Sequence, residues 1–292
     1  MIKIGAKRFD WGARTYIMGI VNTTPDSFSG DGTMSRAKDW TDVATLQGIQ
    51  MVSDGADILD VGGESTRPGA VPISAYEELK RVIPVIEKLA KKVSIPISVD
   101  TYKSEVAREA IRAGASIVND VWGLTKDPEL AKVAAENKTP LIIVHNRSSV
   151  DSAEMRKGLG GRFIGISYRN LLSDIKSELG NSIEVALRAG VSRENIIVDP
   201  GIGFGKTVEQ NLELINKLNE LKDLRFPILV GPSRKSFIGY TVNVPPEERL
   251  EGTAAAVAIC IERGADIIRV HDVKAMSRVA RMTDAIVRRA NR

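Results

Sequence analysis

Five polar residues of this 292-residue chain fall just after short apolar runs: Asp60, Asp100, Asn119, Asp199 and Lys235. A carboxylate accepts two parallel N–H bonds, an amide both gives and takes, and an ammonium donates to a ring carbonyl or nitrogen. As a set they suit a guanine-like or pterin-like heterocycle. Carboxylates gathered at one mouth are costly unless paired, so each should face a cation or an N–H donor. Taken singly, each Asp reads more readily as a helix N-cap or an ion-pair partner than as a ligand group; the reading rests on the set. A second group is cationic: Arg67, Arg269 and His271. Arg269 and His271 are two positions apart at a strand end and share a side. With the free N–H groups of nearby Gly-rich loops they suit a phosphate or pyrophosphate, and the loop at Asn22 becomes a place for Mg²⁺. For Arg269 an internal salt bridge is the competing reading.

Other chemistries are excluded by spacing. The segment Gly201-Ile202-Gly203-Phe204-Gly205-Lys206-Thr207 has the look of a nucleotide loop. Pro200 breaks the G-x-x-x-x-G-K-[ST] spacing, and Lys206 breaks G-x-G-x-x-G. It reads as a flexible turn opening a helix, able to approach a ligand closely. Ser233 lacks a G-x-S-x-G context, and neither His145 nor His271 falls in a recognisable nucleophile–base arrangement, so no hydrolase triad is expected.

The elements that must carry these residues alternate regularly. Short, nearly continuous apolar runs lie at 17–21, 58–61, 97–99, 116–118, 141–144, 196–198, 228–230 and 267–270, as parallel strands buried on both faces do. Helical patterns separate them over 36–54, 76–91, 103–113, 128–137, 165–189, 207–222, 247–263 and 273–289. Asp127-Pro128 reads as an N-cap with Pro at the first turn, and Gly55, Gly114, Gly190 and Gly264 sit where helices stop. Eight β/α units in one chain point to an α/β fold, a (β/α)₈ TIM barrel spanning 1–292 as one domain, over an open doubly wound sheet. In such a barrel the functional residues follow the strands, and here every strand is followed by polar or ionisable groups.

Composition narrows the class further. The 41 Lys and Arg against 37 Asp and Glu give a net charge of +4, spread too evenly to predict a nucleic-acid partner. The basic run Lys274, Arg278, Arg281, Arg288, Arg289 and Arg292 reads as the solvated face of a last helix. No stretch approaches the ~18 apolar residues of a membrane span, and residues 1–8 lack an apolar export core, so a cytoplasmic protein is expected. One cysteine, Cys260, forms no intrachain disulfide, and with two histidines it makes no zinc site.

Seven ordered blocks carry a family resemblance: MGIVNTTPDSFSGDG, DILDVGGESTRPGA, ISVDTYKSEVAREA, IVNDVWG, DPGIGFGKT, GPSRKSFIG and RVHDV. Over essentially the whole chain the sequence resembles the dihydropteroate synthases. The GGESTRPGA and G-x-SRK blocks set it apart from pterin-dependent methyltransferases on the same barrel. A non-catalytic pterin-binding protein would be expected to show decay in the loops. The resemblance implies a (β/α)₈ homodimer that joins 6-hydroxymethyl-7,8-dihydropterin pyrophosphate to p-aminobenzoate. It implies that Asp100, Asn119, Asp199 and Lys235, with Phe204 and Gly231, hold the pterin. Thr66, Arg269 and His271 would contact the pyrophosphate, with Mg²⁺ near Asn22. Phe28, Arg67, Pro68 and Ser233 would shape the p-aminobenzoate pocket, and Arg67, Lys235 and Asp31 would serve catalysis. The chain departs from the family in Thr23, in the Gly30-Asp31 order, which moves the loop aspartate one position on, and in Asn146, where a methionine often packs on the pterin.

Overall fold

A computed structural model describes residues 1–23, 40–66, 69–149 and 152–288. The expected sites Phe28, Asp31, Arg67 and Pro68 lie outside these. Eight parallel strands form one sheet: β3 (Tyr16–Asn22), β4 (Ile58–Gly62), β5 (Ile97–Asp100), β6 (Ile117–Asp120), β7 (Leu141–Val144), β10 (Ile196–Asp199), β11 (Leu229–Val230) and β12 (Ile267–Val270). Their order is β10-β7-β6-β5-β4-β3-β12-β11, and a parallel bridge from Val198 to Ile228 joins the two ends. The sheet therefore closes into a barrel, and the open-sheet alternative is set aside.

The helices α1 (Trp40–Ser53), α2 (Ala75–Ala90), α3 (Ser104–Ala113), α4 (Glu129–Glu136), α5 (Leu171–Arg188), α6 (Val208–Asn216), α7 (Ser236–Val242), α8 (Leu250–Glu262) and α9 (Val273–Val287) pack around it. The stop signals behave as read, while the start at Asp127-Pro128 falls one residue later, with Pro128 itself the N-cap of α4. Asp127 Oδ1 accepts from the Glu129 N–H at 3.1 Å, and its Oδ2 accepts from Ser104 N at 2.8 Å, so one carboxylate serves two helix starts. The four stop glycines all have φ between 97° and 117°, a region that L side chains avoid.

Several elements depart from the sequence reading, among them the helix expected over 207–222, which ends as α6 at Asn216. Helix α5 begins at Leu171 rather than 165, because the Asn170 side chain caps it through Ser173 N at 3.0 Å. Two hairpins, β1 (Ile2–Ile4) with β2 (Lys7–Phe9) and β8 (Ala153–Arg156) with β9 (Gly160–Phe163), had no pattern long enough to read. The last basic run is not uniformly solvated. Arg288 donates to the carbonyls of Gly12 and Ala265 at 2.7 and 2.8 Å and pairs with Asp284, tying α9 to the loop before β3. Arg289 and Arg292 lie outside the described residues.

Period two along the strands separates two cores. Leu59, Val61, Val99, Val118, Ile143, Val198 and Val230 face the helices. Met18, Ile58, Ile117, Ile142, Ile197, Leu229 and Ile267 fill the barrel, whose N-terminal end is plugged by Ile4 and Phe9 of the first hairpin. The same alternation, one pleat further along, sends Asp60, Asn119, Asp199 and Arg269 into the barrel. Phe9 is fully buried against Trp11 and Tyr16. Phe9→Ala should therefore lower stability by about 3–5 kcal/mol. Exposed Met155→Ala should change it by less than about 0.5 kcal/mol. Denaturant titration of the two variants checks both.

Candidate active site

At the C-terminal mouth, the Arg269 guanidinium lies between two carboxylates. Its Nε donates to Asp60 Oδ2 and its Nη2 to Asp100 Oδ2, both at 2.6 Å. The internal salt bridge is thus realised, and each carboxylate has the cation it was expected to need. Among the described residues Arg269 Nη1 has no acceptor, so both of its N–H groups remain to donate. Asp60 is fully buried and also accepts from Asn119 Nδ2 at 3.0 Å. Asp60 Oδ1 and Asn119 Oδ1 are buried without a hydrogen-bond partner among the described residues. Buried polar atoms are rarely left so, and the Asn119 oxygen offers an acceptor to a ligand N–H. Burial pushes the Asp100 carboxyl up to about 7 against the pull of Arg269, with Asp60 adding to the rise.

The other half of the mouth is Asp199 and Lys235. Asp199 Oδ1 accepts from Gly201 N at 2.7 Å. Burial raises the Asp199 carboxyl, and Lys235 opposes that rise. Lys235 precedes the short helix α7, which the sequence reading missed, and its Nζ meets the Ile202 carbonyl oxygen and lies 4.2 Å from the Phe204 ring centroid. Burial brings its pKa down to about 8, with Asp199 resisting. Gly231, at the end of β11, faces the Arg269 side chain.

Ser233 and His271, for which the sequence offered no recognisable arrangement, are in contact. Ser233 Oγ lies 3.1 Å from His271 Nδ1 and accepts from His271 N at 3.2 Å. Adjacent strand ends, 231 and 270, bring them together. Thr66 is exposed on the loop after β4. The base of that loop is fixed by Lys103, whose Nζ bridges Glu64, at 2.6 Å, and Glu78. Asn22 ends β3 half-buried, with no hydrogen bond from its side chain among the described residues. No group of three or more His, Cys, Asp or Glu placed to hold a metal occurs among the described residues. A lone amide oxygen fits Mg²⁺ only as an ion shared with phosphate oxygens and waters, its usual mode.

After strand 141–144 the Asn146 side chain is not loose: its Nδ2 donates to Val121 O at 3.0 Å and its Oδ1 accepts from Ser148 N at 2.8 Å, stitching neighbouring strand ends. Nor is the loop 201–205 a slack turn. A Cβ at Gly201 would collide with the His145 carbonyl oxygen, and one at Gly205 with the Arg147–Ser148 backbone. The sequence reading also missed Lys206, which is buried beneath this loop, since composition argues against burying a lysine.

A family model described as "Pterin binding enzyme" matches residues 18–271. The dihydropteroate synthase of Clostridium beijerinckii is 50% identical over 289 residues, covering 99% of this chain and 100% of the relative. That of Bacillus subtilis is 49% identical, covering 94% and 89%. Among solved structures, the Clostridium difficile enzyme in the presence of pteroic acid superposes with a TM-score of 0.86 at 49% identity, covering 96% of this chain and 100% of that one. The Xanthomonas albilineans enzyme with 4-aminobenzoic acid gives 0.83 at 38% identity, covering 94% and 93%. With the barrel, the charged mouth and these relatives in agreement, the chain belongs to the dihydropteroate synthase family of pterin-binding enzymes.

Proposed function

We propose that this chain joins 6-hydroxymethyl-7,8-dihydropterin pyrophosphate to p-aminobenzoate, releasing pyrophosphate and forming 7,8-dihydropteroate in folate biosynthesis. The observation that carries the reading is the mouth itself, where an amide, a carboxylate and an ammonium (Asn119, Asp199, Lys235) stand beside the Arg269 guanidinium. Asn119 Oδ1 and Asp199 accept from the ring N–H and amino groups. Lys235 donates to a ring nitrogen or carbonyl, with Asp100, Phe204 and Gly231 completing the pocket. Arg269 keeps both carboxylate bonds and offers Nη1 to the diphosphate, with His271 and Thr66 on the same side. Ser233 borders the p-aminobenzoate position, to which the proposal also assigns Phe28, Arg67 and Pro68, with Arg67 and Asp31 in catalysis.

The bond from the pterin methylene to the diphosphate oxygen breaks, its electron pair leaving on oxygen. The aniline nitrogen then forms the new C–N bond and loses its proton. A neutral arylamine is already a nucleophile, so the site needs no strong base; it must align the two substrates, stabilise the leaving charge and exclude water. Mg²⁺ beside Asn22, when bound, supplies further positive charge to the diphosphate.

The proposal extends to a cytoplasmic homodimer. No described helix is long and apolar enough to cross a membrane. Exposed Ile259 on α8 and Met282 and Ile286 on α9 offer apolar surface for a second copy to cover.

Pyrophosphate release from the pterin pyrophosphate with Mg²⁺ tests the reaction. Release should require p-aminobenzoate and match the dihydropteroate formed. Tight pterin binding without coupled product would contradict the proposal. A sulfonamide, as an arylamine analogue, should raise the apparent KM for p-aminobenzoate and leave the maximal rate unchanged.

The Lys235 ammonium, titrating near 8 in the free protein, adds a pH signature. Its charge is present below that pH and lost above it, so pterin affinity should fall as pH rises through about 8. Binding at pH 8.5 should take up protons, because the ring stabilises the charged form. Calorimetry in buffers of different ionisation enthalpy reads this uptake, which should vanish in Lys235→Met.

A further inference from the structure

The reaction uses Lys235 and leaves unexplained a second lysine, Lys206, at the end of the loop that packs on it. Lys206 is 2% exposed. Its Nζ lies 2.9 Å from His145 Nδ1 and 3.0 Å from the carbonyl oxygens of both Gly201 and Phe204. An ammonium has three N–H donors and no acceptor, and here each donor has a partner.

The chain of contacts continues outward. Because Val144 points into the barrel, His145 points out of it, toward α5. There its Nε2 lies 3.0 Å from Glu178 Oε2, and Arg147 holds Glu178 from the other side. A ring nitrogen facing an ammonium must accept, so the His145 hydrogen sits on Nε2 and is donated to Glu178. Burial, with Lys206 adding to it, brings the His145 pKa down to about 4, which keeps the ring neutral and Nδ1 free to accept.

Burying an amine among these groups is costly, and an apolar side chain would fill the same space with no desolvation cost. What only the ammonium can do is draw two carbonyls of one loop, three residues apart, onto a single point. That loop bears directly on Lys235. The Ile202 carbonyl meets its Nζ, Gly203 packs so closely on its stem that a Cβ there would approach Cδ to 2.6 Å, and the Phe204 ring lies beside its Nζ. The loop is tied down elsewhere by Asn211 Oδ1 to Gly203 N at 2.6 Å and by Tyr168 Oη to the Gly205 carbonyl at 3.0 Å. Neither of those contacts gathers its two ends.

We propose that Lys206 is a positioning residue for heterocycle binding: it closes the loop 201–205 about one buried amine and thereby fixes Lys235 where it meets the ring. The role rests on the pterin reading of the site, with Lys206 itself touching no substrate.

The test is calorimetric binding of 6-hydroxymethylpterin to Lys206→Met, Lys235→Met and the double variant, with kcat and KM for the pterin pyrophosphate. Losing a charged hydrogen-bonding group that acts through the loop should weaken pterin binding about tenfold, with the change mainly in KM. The double variant should bind no more weakly than Lys235→Met alone, since Lys206 works through Lys235. Independent losses that multiply are what a merely structural lysine gives. Multiplying losses, or unchanged binding in Lys206→Met, would overturn the proposal. If Lys206→Met does not fold, His145→Ala removes one of the ammonium's three acceptors and should weaken pterin binding about threefold; parent-like binding there overturns the proposal equally. Parent-like pterin binding by Lys235→Met refutes the ring site itself, and the role of Lys206 falls with it.

Discussion

The Arg269 guanidinium between Asp60 and Asp100 is the contact on which the mouth of this barrel depends. Two carboxylates face each other across strands β4, β5 and β12, and like charges so placed need a cation between them. Nε and Nη2 of one planar fork answer both at 2.6 Å. Losing one partner of such a buried set typically costs about 3–5 kcal/mol, because a charge is left uncompensated. The arrangement also orients its neighbours. With Asp60 Oδ2 shared between Arg269 and Asn119 Nδ2, the Asn119 amide is turned so that its oxygen has no partner among the described residues. A structural ion pair thereby aims a recognition group.

Cations and carboxylates face one another in two halves of the mouth. Arg269 answers Asp60 and Asp100 on one side, and Lys235 answers Asp199 on the other. A neutral, donor-rich heterocycle can enter without carrying a counter-ion, and an anionic group attached to it meets the donor that Arg269 retains. Preorganisation of this kind is what a displacement reaction with little demand for base requires. The loop that holds Lys235 is stiffened from beneath by Lys206, so the cationic side of the pocket is set by a contact outside the barrel wall.

Much of this was legible in the sequence because strands alternate with period two. Once the apolar runs were placed, Asp60, Asn119, Asp199 and Arg269 had to follow them at the same end of the sheet, and the glycines at 55, 114, 190 and 264 marked where helices stop. The pairing of Arg269 was readable only as one of two alternatives, since spacing fixes the direction of a side chain and leaves its partner on another strand open. The hairpins were hidden by strands of three and four residues, too short for periodicity. Lys206, His145 and Glu178 were hidden for another reason: the contact joins positions 33 and 61 residues apart, and a buried lysine contradicts what composition leads one to expect. Arg288 was misread likewise, as one more cation on a solvated helix, when its fork reaches backbone carbonyls near residues 12 and 265.

A crystal structure of this chain with 6-hydroxymethylpterin and pyrophosphate would test the account most directly. The ring edge should lie against Asn119 Oδ1, Asp199 and Lys235 Nζ, with the Arg269 bonds to Asp60 and Asp100 intact and the anion on Nη1. A ring bound elsewhere, or an Arg269 that has left both carboxylates to reach the anion, would contradict it.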